Sequence, residues 1–275
     1  MIRKFLGSFV SVTVLLEWSC LPVAQSLVNF SYRCVYSSNF LVQAFPVHQQ
    51  LDLSVLKTAK QITVRIFTNP GAGSGVIVGR RGKIYTVLTN RHVVADSVNH
   101  NYRVLTIDGL MHPAEWLHSV EFKDTDLALV RFTSKKAYVV AAINDSTRLS
   151  PGDPIYAAGF YNWHYLNANA IESTSDWGLR ALRFTTGKME MLLARPLSQG
   201  YGLGYTNEVE NGMSGGPVLN RDGQLVGING RLKYPFQGIR AFTFIDGTIP
   251  SPELFQQMES LSWAIPSATF QQMIE

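Results

Sequence analysis

The sequence is poor in charge and in long apolar runs, and each shortage excludes a class of protein. Charged residues make up 16% of the 275 residues, against about a quarter in an average soluble domain. The 24 basic and 20 acidic residues form no polybasic run, so the sequence predicts neither a nucleic-acid partner nor an anionic membrane surface. The apolar stretch at residues 5–16 is too short to span a bilayer.

The N-terminal residues nevertheless follow the layout of a secretory signal peptide. Arg3 and Lys4 precede the apolar stretch, and small residues follow at 24–26. We therefore predict a signal peptide over residues 1–26 and a mature chain that is exported to the periplasm or the outside of the cell. The alternative is an uncleaved anchor or a buried strand, because Glu17 and Trp18 suit a cleavage region poorly.

Cysteine is equally scarce, with only Cys20 and Cys34 in the chain. Removal of a signal peptide would take away Cys20, and the single thiol left cannot form a disulfide within one molecule. The fold must then be stabilised by its core. The two cysteines and six dispersed histidines include no H-E-x-x-H spacing, so the sequence predicts no metal site and no cofactor.

Short β-branched and alternating runs dominate the chain after an extension of low charge at residues 27–50. Gly and Pro turn signals separate these runs, a pattern typical of all-β sandwiches and barrels. Helix signals occur only near the end, where Ser251 and Pro252 open a predicted helix over residues 253–261 and Ser267 opens a second. The predicted strands cover residues 62–67, 75–79, 84–89, 104–107, 127–132, 155–159, 182–186, 218–219, 225–229 and 241–244.

The densest chemical signal is the string NGMSGGP at residues 211–217, which places glycines on both sides of Ser214. A nucleophilic serine needs backbone N–H groups directed at the developing oxyanion, and glycines leave that approach open. An ordinary Gly-rich turn is the alternative. The string also fits the nucleophile elbow of α/β-hydrolases, but that elbow requires a histidine after the serine, and every histidine precedes Ser214. The histidines are His48, His92, His100, His112, His118 and His164.

Only the chain order His, Asp, Ser fits a serine triad comfortably. His92 directly follows a predicted strand, and Asp126 opens the apolar run DLALV, where its carboxylate could hold the imidazole in one tautomer. Taken singly, a hydrogen-bonded core histidine and a strand-capping aspartate would explain these two residues. Taken together with Ser214, they predict a triad.

The strings TNRHVV at 89–94, DLALV at 126–130 and GMSGGPVLN at 212–220 resemble the triad blocks of trypsin-like serine peptidases of the chymotrypsin fold. Four further blocks agree with this family, at 73–78, 152–160, 225–230 and 262–266. The last two are most similar to the bacterial HtrA/Deg and glutamyl-endopeptidase branch. PDZ domains follow the protease domain in HtrA proteins, and nothing after Glu275 encodes one, so we expect a bare protease unit.

The resemblance implies two antiparallel six-stranded β-barrels with the active site between them, followed by a C-terminal helix. The protease domain would cover residues 51–275, with the barrels at about 60–142 and 150–275. By this likeness Ser214 would attack the peptide carbonyl, His92 would act as the general base, and Asp126 would orient His92. The N–H groups of Gly212 and Ser214 would form the oxyanion hole, the substrates would be polypeptides, and no metal or organic cofactor would be needed.

The substrate-binding residues follow less directly from the resemblance. The family commonly places the base of its primary specificity pocket six residues before the nucleophile, which here is Glu208, so we predict a preference for Lys or Arg. Glu210 could take that role in another register, and both glutamates could instead face solvent. Asn229, Gly230 and Arg231 could bind substrate as an added strand.

Two features qualify the expected activity. Met213 stands where the animal digestive enzymes have the acid that pairs with a new N terminus, so we expect activation without such a terminus. A protein that keeps the fold but binds peptide without cutting it, in the manner of a chaperone, is the second hypothesis, and the complete triad argues against it. A latent protease is the third.

Overall fold

A computed structural model describes residues 47–120, 122–167 and 170–274 of the chain. The predicted signal peptide, both cysteines and most of the predicted extension lie outside the described residues. Helix α1 (Val47–Ile62) begins inside the predicted extension and is not foreseen by the sequence pattern. Both barrels lie in one compact unit, Val55–Glu275, and the unit before it, Met1–Ser54, contains the start of α1.

Twelve strands build two closed six-stranded antiparallel barrels, as the family resemblance implies. The first barrel contains β1 (Thr63–Thr68), β2 (Gly71–Arg81), β3 (Ile84–Thr89), β4 (Tyr102–Leu105), β5 (Met111–Trp116) and β6 (Ala128–Thr133). A separate two-stranded hairpin contains β8 (Trp163–Asn167) and β9 (Ala170–Ser173). The second barrel contains β7 (Pro154–Phe160), β10 (Leu182–Leu192), β11 (Leu203–Tyr205), β12 (Pro217–Leu219), β13 (Leu225–Arg231) and β14 (Ser262–Pro266).

Three apolar clusters organise the packing. Alternating inward residues of the strands fill the first barrel with Val64, Val87 and Phe132, and a second cluster fills the other barrel. The third and largest cluster joins outer faces of both barrels, with Leu88 from the first and Trp263 from the second. This third cluster fixes how the barrels dock, and the candidate site depends on that docking.

Four helices complete the fold. Helix α2 (Arg91–Ala95) directly follows β3, and α1 packs onto the barrels through the buried residues Val55, Ala59 and Ile62. Helices α3 (Pro252–Glu259) and α4 (Ser267–Ile274) confirm the two predicted C-terminal helices, and the Ser251 hydroxyl accepts a hydrogen bond from the Leu254 N–H at 3.3 Å. No helix of the described ranges has the length and apolar character needed to cross a membrane.

One predicted strand is wrong. Residues 241–244 do not form a strand; a 3₁₀ helix, Gly238–Phe242, covers the start of that run. Phe242 and Phe244 are buried in the third apolar cluster, so the run is apolar because it packs against the barrels. A short apolar run cannot reveal by periodicity alone whether it is a strand or a helical turn.

Candidate active site

His92 and Asp126 meet through a double contact. His92 lies in the first turn of α2, and its backbone N–H donates to Asp126 Oδ1 at 2.9 Å. The ring Nδ1 lies 2.6 Å from Asp126 Oδ2. Asn90, directly before the helix, donates from its side-chain amide to the Asp126 carbonyl at 2.9 Å. These bonds fix the imidazole with Nδ1 toward the carboxylate, which leaves Nε2 on the opposite edge of the ring.

The Asp126 carboxylate stays ionised although it is only 5% exposed. Burial acts to raise its pKa, but the hydrogen bond and charge of His92, a hydrogen bond from the Tyr201 hydroxyl and the His92 N–H outweigh burial, so the pKa lies below the ordinary value. An ionised carboxylate accepts a hydrogen bond from Nδ1–H of the neutral imidazole. Nε2 is then the unprotonated nitrogen and can accept a proton from a nucleophile.

Ser214 lies in the loop before β12, and this loop is pressed against both barrels. Gly215 has a φ of +84°, and a Cβ there would lie 2.1 Å from the Ser74 carbonyl oxygen and 2.2 Å from Thr89 Oγ1. A Cβ at Gly216 would lie 2.1 Å from the Ala158 carbonyl oxygen. Only glycine fits at these two positions. The Ser74 N–H also donates to the Ser214 carbonyl at 2.8 Å, which ties the serine to β2.

The backbone N–H groups of Gly212 and Ser214 follow carbonyls that are themselves held by hydrogen bonds. The Asn162 N–H donates to the Asn211 carbonyl at 2.8 Å, and the Gly216 N–H donates to the Met213 carbonyl at 3.0 Å. In a trans peptide the N–H of the next residue points the opposite way. The N–H groups of Gly212 and Ser214 are therefore directed away from these bonds, and neither has a hydrogen-bond partner among the described residues.

Ser74 supports this arrangement from β2. Its hydroxyl donates to the Gly212 carbonyl at 2.8 Å and accepts from the Phe160 N–H at 2.7 Å. Gly212 has a φ of +98°, and a Cβ there would meet the Phe160 carbonyl oxygen at 2.6 Å. The loop that carries these two N–H groups is therefore closely packed and held by hydrogen bonds from β2. Backbone donors of this kind can bind an oxyanion when both point at it.

The structure thus joins His92 to Asp126 and packs the Ser214 loop against Thr89, three residues before His92. No hydrogen bond of the described residues links the Ser214 hydroxyl to His92. Hydrogen bonds of this kind are often long in a free enzyme and shorten when substrate binds. Met213, between the two N–H donors, is fully buried in the apolar cluster of the second barrel.

The predicted substrate-binding residues lie in different settings. Asn229 is fully buried, its N–H donates to the Gly216 carbonyl at 3.0 Å and its carbonyl accepts from the Gly215 N–H at 2.9 Å. Its backbone therefore holds the nucleophile loop and is not free to bind an added strand. Gly230 lies against the Tyr201 hydroxyl, and the Arg231 guanidinium covers the Tyr201 ring at 4.3 Å from its centre.

Glu208 lines a cavity of about 400 Å³. Its carboxylate lies 2.5 Å from Lys233 Nζ, and its side chain is 76% exposed. Glu210 lies at the same cavity and pairs with Arg183 at 3.1 Å. Both acids therefore already have a basic partner. The remaining lining residues are Trp163, Tyr165, Val209, Asn211, Leu232, Lys233 and Tyr234.

Several supporting residues escape sequence analysis because their roles depend on distant partners. Arg65 of β1 is 1% exposed and has no carboxylate within reach in the described structure. It donates to the Thr174 carbonyl at 2.8 Å and to Asn162 Oδ1 at 3.3 Å, and the Asn162 backbone in turn holds Asn211. Burial lowers the pKa of Arg65. No motif marks these residues, apart from Ser74, which lies in one of the family-like blocks.

Side chains that could bind a metal are dispersed among the residues that the structure describes. Within the described ranges, no three His, Cys, Asp or Glu side chains lie close enough together to hold a metal ion. The arrangement offers an imidazole with a free Nε2, a serine between glycines, and a pair of directed N–H groups. These are the kinds of groups that acyl transfer uses.

Comparison with known proteins places the chain among trypsin-like serine peptidases. Residues 73–228, more than half of the chain, match the family model of the trypsin-like peptidase domain. The chain is 31% identical over 160 residues to serine protease HTRA1 of Xenopus laevis, covering 58% of this chain and 31% of that protein. It is 31% identical over 164 residues to serine protease Do-like HtrA of Bacillus subtilis (strain 168), covering 59% and 34%.

A third relative extends the alignment. The putative serine protease HhoA of Synechocystis sp. (strain ATCC 27184 / PCC 6803 / Kazusa) is 28% identical over 209 residues, covering 70% of this chain and 48% of that protein. The chain thus spans about a third to a half of the length of these relatives.

Proposed function

The chain belongs to the trypsin-like peptidase family, and on that premise we propose that it is a serine endopeptidase in which Ser214, His92 and Asp126 act together. The double contact of Asp126 with the backbone and ring of His92 carries this proposal. A core histidine or a strand-capping aspartate, the alternative roles of these residues, would not need two bonds to one partner. The free N–H groups of Gly212 and Ser214 support the same reading.

The proposed reaction uses each group in turn. Ser214 Oγ attacks the scissile carbonyl while His92 Nε2 takes the hydroxyl proton, and Asp126 stabilises the imidazolium that forms. The carbonyl oxygen becomes an oxyanion held by the N–H groups of Gly212 and Ser214. Collapse of this intermediate breaks the C–N bond, and His92 gives its proton to the leaving amine. Water then hydrolyses the acyl-enzyme by the same steps and regenerates the Ser214 hydroxyl.

A fluorophosphonate probe tests the proposal directly, because it forms a covalent bond with a serine only where a base activates the hydroxyl. We expect the native full-length protein to gain one probe adduct, which peptide mapping by mass spectrometry places on Ser214. Heat-denatured protein and the Ser214→Ala variant serve as controls and should remain unlabelled. An adduct on another serine, or none on native protein, would refute the assignment.

Primary specificity offers a second test, because Lys233 already neutralises Glu208. If Glu208 receives a substrate cation, Lys233 competes with that cation for the carboxylate. Lys233→Met should therefore increase the preference for Lys or Arg over apolar residues before the scissile bond by about fivefold, or roughly 1 kcal/mol. Glu208→Gln should reduce the same preference. A peptide library measures both ratios.

The matched comparison for this test is Glu210→Gln, which removes the other acid of the cavity and leaves the Glu208–Lys233 pair intact. A preference that follows Glu210 and not Glu208 would assign the pocket to the other register. A preference unchanged in all three variants would show that neither glutamate contacts the substrate.

A further inference from the structure

The Asp126 carboxylate has a third donor, which belongs to no motif. The Tyr201 hydroxyl lies 2.6 Å from Asp126 Oδ2, the same oxygen that His92 Nδ1 contacts at 2.6 Å. Tyr201 is 1% exposed, so water does not compete for this bond. Two donors therefore share one carboxylate oxygen, and the strength of either bond depends on the other.

Two residues of β13, Gly230 and Arg231, lie against Tyr201. The Arg231 guanidinium lies 4.3 Å above its ring, and Arg231 donates to the Ser198 carbonyl at 3.0 Å and to Gln199 Oε1 at 3.2 Å. A Cβ at Gly230 would lie 2.1 Å from the Tyr201 hydroxyl oxygen, so only glycine leaves room for it. A larger residue at position 230 would therefore push the Tyr201 hydroxyl from its place beside Asp126.

The segment before Tyr201 also contacts the triad aspartate. The Gln199 carbonyl accepts from the Asp126 N–H at 3.0 Å, and Gln199 has a φ of +66°, which is unusual for a residue other than glycine. A Cβ at Gly200 would lie 2.7 Å from Thr125 Cγ2. The 3₁₀ turn Ser198–Gly200 is therefore shaped around residues 125 and 126, and this close fit supports a role for Tyr201 beyond packing.

The ionisation of these groups suits a donor role. Burial, together with the charge of Asp126, raises the pKa of Tyr201 well above its usual value, so the hydroxyl keeps its proton. Burial lowers the pKa of Arg231, while Tyr201 and Asp126 act to raise it. The titratable and charged groups gathered around Asp126 are therefore His92, Tyr201 and Arg231, with Tyr205 beside Tyr201.

We propose that Tyr201, held by Arg231, is a positioning residue that sets the orientation and basicity of His92 through Asp126. The inference rests on the proposed function for its catalytic consequence. The Tyr201 hydroxyl donates a hydrogen bond to Asp126 Oδ2 and so draws charge away from the oxygen that faces His92 Nδ1. Its removal leaves more charge on Oδ2, which favours the imidazolium and makes His92 a stronger base that is protonated at higher pH.

The test is Tyr201→Phe, which keeps the ring under Arg231 and removes only the hydroxyl. We expect kcat to fall about tenfold with KM changed less than about twofold, because Asp126 no longer has a fixed second donor. The catalytic base must be unprotonated, so the acidic limb of the pH profile of kcat/KM should move upward by about half a pH unit. Arg231→Met, which removes a buried cation beside Asp126, should move the limb in the same direction.

The matched control is Tyr85→Phe. Tyr85 is also fully buried, and its hydroxyl donates to the Lys136 carbonyl at 2.9 Å in the first barrel. A general cost of losing a buried hydroxyl would appear in both variants, whereas the shift in the acidic limb should appear only in Tyr201→Phe. Equal effects in the two variants, or a folded Tyr201→Phe with the kcat and pH profile of the wild type, would overturn the inference.

A readout independent of turnover separates this inference from the proposed function. The NMR signal of the His92 Nδ1 proton can be followed with pH in the full-length protein without any substrate. We expect its midpoint to rise by about half a pH unit in Tyr201→Phe and to stay constant in Tyr85→Phe. The midpoint shifts even if the protein hydrolyses no peptide, and an unchanged midpoint refutes the role of Tyr201 even if it does.

Discussion

Replacing Ser214 or His92 with alanine should reduce kcat/KM by about 10⁴-fold or more. In the proposed mechanism, Ser214→Ala removes the atom that bonds to the substrate carbonyl, and His92→Ala removes the base that activates it. Because the residues of such a unit act together, the double variant should lose little more than either single one. Initial rates on a peptide substrate, with folding checked by circular dichroism, measure the effect.

Ser150→Ala is the matched control for the serine, because Ser150 is exposed in the loop before β7. It should keep the wild-type rate. The assignment of the nucleophile would be wrong if Ser214→Ala retained full activity. If His92→Ala alone retained activity, another base would have to be sought near the two free N–H groups.

Asp126→Asn should have the second-largest effect, a fall in kcat of roughly 10⁴-fold with little change in fold. The side chain keeps its shape, and its oxygen can still accept from the His92 N–H. The amide, however, would donate to His92 Nδ1 and so stabilise the tautomer that carries its proton on Nε2. That tautomer cannot take the proton of Ser214. Steady-state kinetics across a range of pH would measure the loss.

Asp145→Asn is the control for this substitution. Asp145 accepts a hydrogen bond from the Thr147 N–H at 2.9 Å at an exposed 3₁₀ turn, a role that asparagine can also fill. Its rate should equal that of the wild type. A loss of less than about tenfold in Asp126→Asn would show that the carboxylate does not control the tautomer of His92.

Strand periodicity and turn residues are local signals, so the sequence pattern predicts an all-β sandwich or barrel. The resemblance to a known family, and not the pattern, predicts two six-stranded barrels. The sequence pattern does not predict helix α1. Among its described side chains only Val55, Ala59 and Ile62 are buried, and they lie within a weakly amphipathic run. Such a helix is stabilised mainly by packing onto the barrels. The pattern inside the run does not contain that information.

The site shows the same division between local and distant signals. The strings around His92, Asp126 and Ser214 mark residues whose neighbours in sequence shape their surroundings. Tyr201 touches Asp126 from 75 positions away, and Arg65 reaches Thr174 from 109 positions away. These contacts form only when the barrels dock, so a local sequence motif cannot predict them. Asn229, predicted to bind substrate, supports the nucleophile loop for the same reason.

The hydrogen bonds of Ser74 bear on what happens when the two barrels move apart. This one residue of the first barrel bonds through its N–H to Ser214 and through its hydroxyl to Gly212 and Phe160 of the second barrel. Local openings of a protein begin where few bonds must break. A slight parting of the barrels would break all three bonds while every strand pairing remains intact. In the proposed mechanism, catalytic competence is thus a property of the contact between the two barrels, and we expect partial openings that leave each barrel folded to abolish it.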